Sequence, residues 1–323
     1  MPTSCVGRHM SIRPALPATL LLVALGAAAC SSGGAAPTAS TPPVTGSPVT
    51  GSPVTGSPVT PTAAPSQSVD GIAHPTGADE IILRFEDAGG FTPPEWQAAR
   101  LPYFTLYGDG TVVFIQTTAE VPISEDGLFR GQPLRTATLS EEQIQGLITY
   151  ALTDGGIAIA KADYQNPMVA DAPTSIFTIN ADGDSKTVSV VALGMENPPG
   201  PDTAVLNSLV RLGERLRDFD QGGTFASAQY VAPAFRAVIL EQQGIEGVQV
   251  RDWPWPDLAP SDFALPADPM TLPQGSRTLT PQEASAVGVE GYENGISSGV
   301  YIRDDAGKVY SLVIRPLLPD EQE

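Results

Sequence analysis

The sequence predicts an α+β fold: antiparallel sheets of β-hairpins with a few packed helices, in two subdomains, after a disordered Pro/Thr/Ser/Gly stalk. Three features carry that expectation. Strand-like runs come in pairs around tight Gly/Asp turns. Helical spacing appears in only a few segments, and these do not alternate singly with strands, as a doubly wound parallel sheet would require. No charged residue occurs from Ser31 to Val69, where Pro, Thr, Ser and Gly dominate. The expected divisions are 1–29, a signal; 30–78, a stalk; 79–222, a first α+β domain; and 225–321, a smaller second one.

The folded part begins with "EIILRFED" (80–87), which has the β-branched and apolar content of a strand. "LPYFTLYGDGTVVFI" reads as a hairpin about Gly108-Asp109-Gly110. "TLSEEQIQGLITYALTDGG" switches to helical spacing. Ser140 is its N-cap, Gln143 completes a capping box, and Leu139 and Ile144 are placed for a hydrophobic staple. Ile144, Leu147, Ile148 and Ala151 share one apolar face, and Gly155-Gly156 ends the helix. "TSIFTINADGDSKTVSVVAL" is a second hairpin. Residues 203–219 form a second helix, with Val205, Leu206, Leu209, Leu212 and Leu216 on one side; Gly222-Gly223 closes the unit. A strand comes next, around "FRAVILEQ". "VRDWPWPDLAPSDFALPADPMTLP" is too rich in Pro to be other than extended or loop. "TPQEASAV" is a short helix with Thr280 as cap, Pro281 at the first position and Glu283 completing a capping box. "GVYIRDDAGKVYSLVIRPLLP" is a final hairpin about Asp305-Ala306-Gly307.

Ahead of all this, Arg8 and Arg13 precede an apolar run from Ala15 to Ala29, broken only by Pro17 and Thr19. Small residues Gly26 to Ala29 lead to Cys30. This is the layout of a secretory signal, and the run falls short of the roughly 20 apolar residues of a membrane span. "AAAC" (27–30) resembles the lipobox of bacterial lipoprotein precursors, although Ala27 stands where Leu is usual. The resemblance implies that Cys30 receives a diacylglycerol after cleavage before it. Two acyl chains hold stably to a membrane where one is marginal. The expected partner is therefore the membrane, through Cys30, and the expected location is extracytoplasmic. Met10 with "SIRPALPATLLLVALGAAAC" is by itself a complete lipoprotein signal, so residues 1–9 read as an extension ahead of it. The chain's only other cysteine is Cys5, so no disulfide framework is expected downstream.

Residues 44–58 are three copies of Val-Thr-Gly-Ser-Pro. Frequent Pro removes backbone donors, and apolar content is too low to offset ordering entropy. As a coil, about 40 such residues average roughly 35 Å end to end. Ser, Thr and Pro together also describe O-glycosylated stalks.

"GGFTPPEWQAARLPYFTLYGDGTVVF" with "RPLLPDE" near the end is similar to a group of secreted or lipid-anchored proteins of actinobacteria and Chloroflexota. The hairpin-helix-hairpin order of 102–193 is similar to a bacterial domain built on a "DG" hairpin. Both resemblances imply a fold and an address, and no activity.

Charge and residue types exclude much chemistry. The net charge is −19, and becomes −21 when Arg8 and Arg13 leave with the signal. Such a surface repels nucleic acid, and no nucleic-acid partner is expected. The histidines are His9, in or before the signal, and His74, at the stalk edge. A folded part without His or Cys cannot build Ser-His-Asp or Cys-His catalysis, or zinc sites on those ligands. No cofactor and no metal site is expected. "GISSG" (295–299) matches the nucleophile-elbow pattern, but a strand comes after Ser297 where a helix is needed. "NADGDSK" (180–186) places Asp182 and Asp184 like the start of a calcium loop, but Val191 stands where the bidentate Glu belongs; a hairpin turn accounts for it. Asp163 with Asp171 is a candidate glycosidase pair whose separation in space is open.

"RDWPWPDL" (251–258) is the most unusual stretch. Trp253 and Trp255 are two apart, so an extended chain aims them the same way. Exposed, they would form an aromatic platform for a sugar or peptide, with Arg251 and Asp252 at the rim. Packed, they would pin a Pro-rich crossover onto a sheet. Trp96 carries the same ambiguity. The expected function is a non-enzymatic, lipid-anchored envelope protein that binds a protein or cell-wall component. The alternative is a carboxylate-dependent hydrolase of envelope glycans.

Overall fold

Along the chain, the computed structural model places β1 (Ile81–Gly89), a short helix α1 (Pro94–Ala98) and the hairpin β2 (Phe104–Tyr107) with β3 (Thr111–Ile115). A two-residue strand β4 (Phe129–Arg130) and β5 (Leu134–Thr138) lead into helix α2 (Glu141–Leu152). Then come β6 (Asp163–Tyr164), the hairpin β7 (Pro173–Ala181) with β8 (Asp184–Val191), and helix α3 (Thr203–Arg217). The rest gives β9 (Ala228–Gln229), β10 (Phe235–Gln242), β11 (Val250–Asp252), β12 (Gly275–Leu279), helix α4 (Pro281–Ala286) and the hairpin β13 (Ser297–Arg303) with β14 (Val309–Pro316). The structure describes residues 71–117, 126–195, 199–266 and 274–322. The expected signal, Cys30 and the stalk up to residue 70 lie outside the described residues.

Two sheets result, as the α+β expectation holds. The first has the order β6-β8-β7-β1-β2-β3-β5-β9, the second β11-β13-β14-β10-β12 with β4 added to β13. Alternation along the strands sorts side chains to two faces. On one face of the first sheet, Phe85, Phe104, Phe114 and Phe177 meet the apolar sides of α2 and α3. Phe85 lies opposite both Phe104 and Phe177 in register and stacks on Phe177 at 4.6 Å. Ile144, Leu147, Ile148 and Ala151 of α2 and Val205, Leu209, Leu212 and Leu216 of α3 are buried there. The capping box at Ser140 is formed, with Ser140 Oγ accepting from Gln143 N and Gln143 Oε1 accepting from Ser140 N. That at Thr280 and Glu283 is formed likewise.

The opposite face of the first sheet contributes Tyr107, Val113 and Leu134 to a second core, shared with Phe235, Ile239, Leu312 and Ile314 of the second sheet. That is why "FTLY" of β2 is buried at every position rather than alternately. The far face of the second sheet is covered by α1, where Ala99 and Trp96 meet Val238 and Val313.

Three differences from the sequence reading have physical causes. Both sheets carry one parallel edge, at β6 with β8 and at β11 with β13. The edge strands β6 and β11 are two and three residues long, and each reaches its partner through a connection rather than a hairpin turn, so no local turn signal reports it. Second, segments cross the division at Gly222-Gly223. β4 joins the second sheet and β9 the first, and the described residues fall in one compact unit. Third, residues 71–78, read as stalk, dock on the first sheet. Ile72 packs against its core, and Ala73 O accepts from Asp182 N at 2.6 Å. His74 therefore belongs to the folded part: its side chain is 8% exposed and faces Pro75 O at 2.6 Å and Glu141 Oε1 at 3.2 Å. The reading of a folded part without histidine is corrected accordingly.

Candidate functional site

The tryptophan pair lies where a platform cannot form. Val250–Asp252 becomes β11, paired parallel to β13. The Pro-rich chain then folds back over α4. Trp255 is 3% exposed and Trp253 is half-buried. Their rings meet edge to face at 5.2 Å and 79° rather than side by side. Each indole N–H is spent on backbone: Trp253 Nε1 donates to Leu258 O and Trp255 Nε1 to Glu283 O, both at 2.7 Å. Phe263 completes the aromatic group, 5.6 Å from Trp255. Arg251 Nη1 donates to Val287 O and Gly288 O, tying the crossover to the end of α4, and Asp252 is exposed beside it. Trp253, Trp255 and Phe263 thus belong to the second core, with Arg251 and Asp252 at its edge.

The other candidates also resolve. Ser297 is fully buried and opens β13, opposite Arg130 and Ile314. Asp182 and Gly183 both have φ near +55 to +79° and form the corner between β7 and β8. Asp163 sits in edge strand β6, its carboxylate accepting from Gln165 Nε2, and Asp171 lies exposed in a turn at φ 56°. Among the described residues no group of three His, Cys, Asp or Glu is gathered to hold a metal ion.

The structure instead draws together a cleft that sequence spacing did not indicate. It has a volume of about 430 Å³ and is walled by Trp96 and Leu101 around α1, Tyr103 and Ile115 of the first sheet, and Phe129 and Ile296 from the β4–β13 pairing. Its position results from the exchange of β4, which carries Phe129 to within 4.6 Å of Trp96. The lining is predominantly apolar. At its floor, Asp87 accepts from Arg217 Nη2 and from Ser175 Oγ, both at 2.7 Å. The Arg217 guanidinium lies over the rings of Tyr103, at 4.6 Å, and Phe85, at 4.8 Å, a cation–π arrangement. Burial, helped by the negative charge of Asp87, pushes the Tyr103 phenol above its ordinary range. At the rim, Arg100 is 46% exposed and contacts Glu86 through Nε at 3.2 Å. Trp96 is the one sequence signal that points here.

Comparison with protein-family models, with curated proteins and with solved structures finds no match to this chain.

Proposed function

We propose that this chain is a lipid-anchored protein of the cell envelope that presents an acidic α+β module outside the cytoplasm on a Pro-rich tether, and that the module works by binding rather than catalysis. The lipobox-like "AAAC" ending at Cys30 and the uncharged repeats after it support the address. No helix among the described residues is long and apolar enough to cross a membrane. The observation that carries the binding reading is the apolar cleft between Trp96 and Phe129, whose size lies within the range of about 300–1,000 Å³ usual for small-ligand sites. Glycoside hydrolysis needs two carboxyl groups facing a bond; among the described residues Asp87 is the single carboxylate in the cleft lining, and Arg217 neutralises it.

Fractionation of cells tests the address. The native protein should sediment with membranes, and Cys30→Ser should leave an unprocessed protein that no longer does. A Cys30→Ser protein that still matures and partitions with lipid defeats the anchor. Capture from native membranes tests binding: Phe129→Asp should lose envelope material that the native module retains, and hydrolysis of that material by the purified module would favour the hydrolase instead.

A further inference from the structure

We infer that the cleft takes a single-chain amphiphile, a hydrocarbon chain ending in a carboxylate, with Arg100 holding the head group and Trp96 and Phe129 flanking the chain. This rests on the binding reading above and names its ligand class.

The charged groups at the cleft divide into those fully committed and one with donors to spare. Asp87 has both oxygens occupied, by Ser175 and Arg217. Arg217 is held between that carboxylate and two aromatic rings. The Gln97 amide donates to Thr92 O at 3.4 Å. Arg100 gives only Nε to Glu86, and its two terminal nitrogens have no acceptor among the described residues. Those two N–H groups form the planar fork that matches a carboxylate. Arg100 is therefore the cation at the rim that keeps donors for an anionic head group, its charge shared with Glu86.

The rest of the wall selects the tail behind the head group. Apolar surface makes up most of the lining, and burying an aliphatic chain against it is favourable. A peptide would bring backbone N–H and C=O groups, which need partners when removed from water. A hydrocarbon chain brings none. The net charge of −19 disfavours an anionic bilayer surface as the occupant. Screening within about 8–10 Å leaves Arg100 able to act on one bound head group.

Calorimetric titration of the folded chain with decanoate, methyl decanoate and decylamine, all below their aggregation limits, tests this. Decanoate should bind at least tenfold more tightly than the ester, and the amine should give no binding. Arg100→Gln, an exposed change, should weaken decanoate about five- to tenfold and leave the ester unaffected. Ile115→Asp should abolish binding of both, in a protein whose melting profile shows it folded. Equal affinity for all three probes, or an Arg100→Gln protein that binds decanoate normally, overturns the inference while leaving an apolar binding site standing. No binding of any probe overturns it too, and returns the question of a ligand to the membrane capture.

Discussion

Ile72 and Gln145, 73 residues apart, hold each other twice. Ile72 N donates to Gln145 Oε1 and Gln145 Nε2 donates to Ile72 O, both at 2.9 Å. A side-chain amide on the surface of α2 thus acts as a β-ladder partner of the strap. Glu141 Oε1 accepts from the same Gln145 amide at 2.8 Å. Gln145→Ala should free the strap at a cost of about 1–2 kcal/mol. Amide exchange should then quicken at Ile72 and at Asp182, whose N–H is bonded to Ala73 O, while the buried side of α2 stays protected. Unchanged protection at both sites would show that other contacts hold the strap.

Gly108 enforces the same strap from the other side. A Cβ added there would lie 2.7 Å from the backbone of Thr76 and Gly77, closer than real Cβ contacts come. Gly108→Ala should cost roughly 1–3 kcal/mol through this overpacking. Combined with Gln145→Ala, it should cost less than the sum of the two, because both release one segment. Strict additivity in denaturant unfolding would place the two effects on separate structures.

Trp255 tests the core reading of the Pro-rich crossover. Trp255→Ala should lower stability by roughly 3–5 kcal/mol, as expected for a large aromatic removed from a core. The loss also leaves the Glu283 carbonyl without its indole donor. A change within about 0.5 kcal/mol, the usual range for exposed substitutions, would revive the platform.

The C-terminal residues should make stability fall in acid. Burial pushes the Asp320 carboxyl up, but hydrogen bonds from Arg84 at 2.7 Å and Tyr107 at 2.6 Å more than offset it, leaving Asp320 below its ordinary 3.8. Glu321 behaves alike: burial raises it, and its two-point contact with Arg315 brings it below 4.5. Both pKa values are lower folded than unfolded. Their contribution is therefore present above the unfolded values and is lost as pH falls from about 4.5 through the folded ones. Asp320→Asn should destabilise the protein at neutral pH, by leaving Arg84 partly buried without its partner. It should also flatten the stability profile below pH 4 relative to the native chain. An unchanged acid slope would assign that loss to other carboxylates.

How legible these features are depends on how local their causes are. The α2 signals lie within a few residues of each other: Ser140 and Gln143 for the cap, Leu139 and Ile144 for the entry, four apolar positions for the buried side. The hairpins at 107–111 and 181–184 carry their own turn residues. β4 and β9 are two residues each, and nothing in "FR" or "AQ" announces a partner elsewhere in the chain. The cleft depends on β4, so it is equally hidden; only Trp96 marks it. The strap reads as stalk because "DGIAHPTG" resembles the tether in composition. Its order comes from Gln145, Gly108 and Asp182, all remote in sequence. The aromatic pair at 253 and 255 is legible as unusual, but alternation along an extended chain cannot say whether that side meets solvent or a helix.

The exchange of β4 and β9 bears on the order in which the chain can become whole. A chain emerging from its N-terminus completes β5 before Ala228–Gln229 exists to cover it, so an unpaired strand edge waits open, a template for pairing with other chains. The Arg130 Nε–H, meanwhile, finds its acceptor only at Glu290 O, 160 residues later. Long-range closures of this kind slow folding. Until Ala228–Gln229 is made, the first sheet is a half-closed clasp: its helices can seat early, but its outer edge comes from those two residues, and the wall holding Phe129 waits longer still, for Ser297 and Ser298.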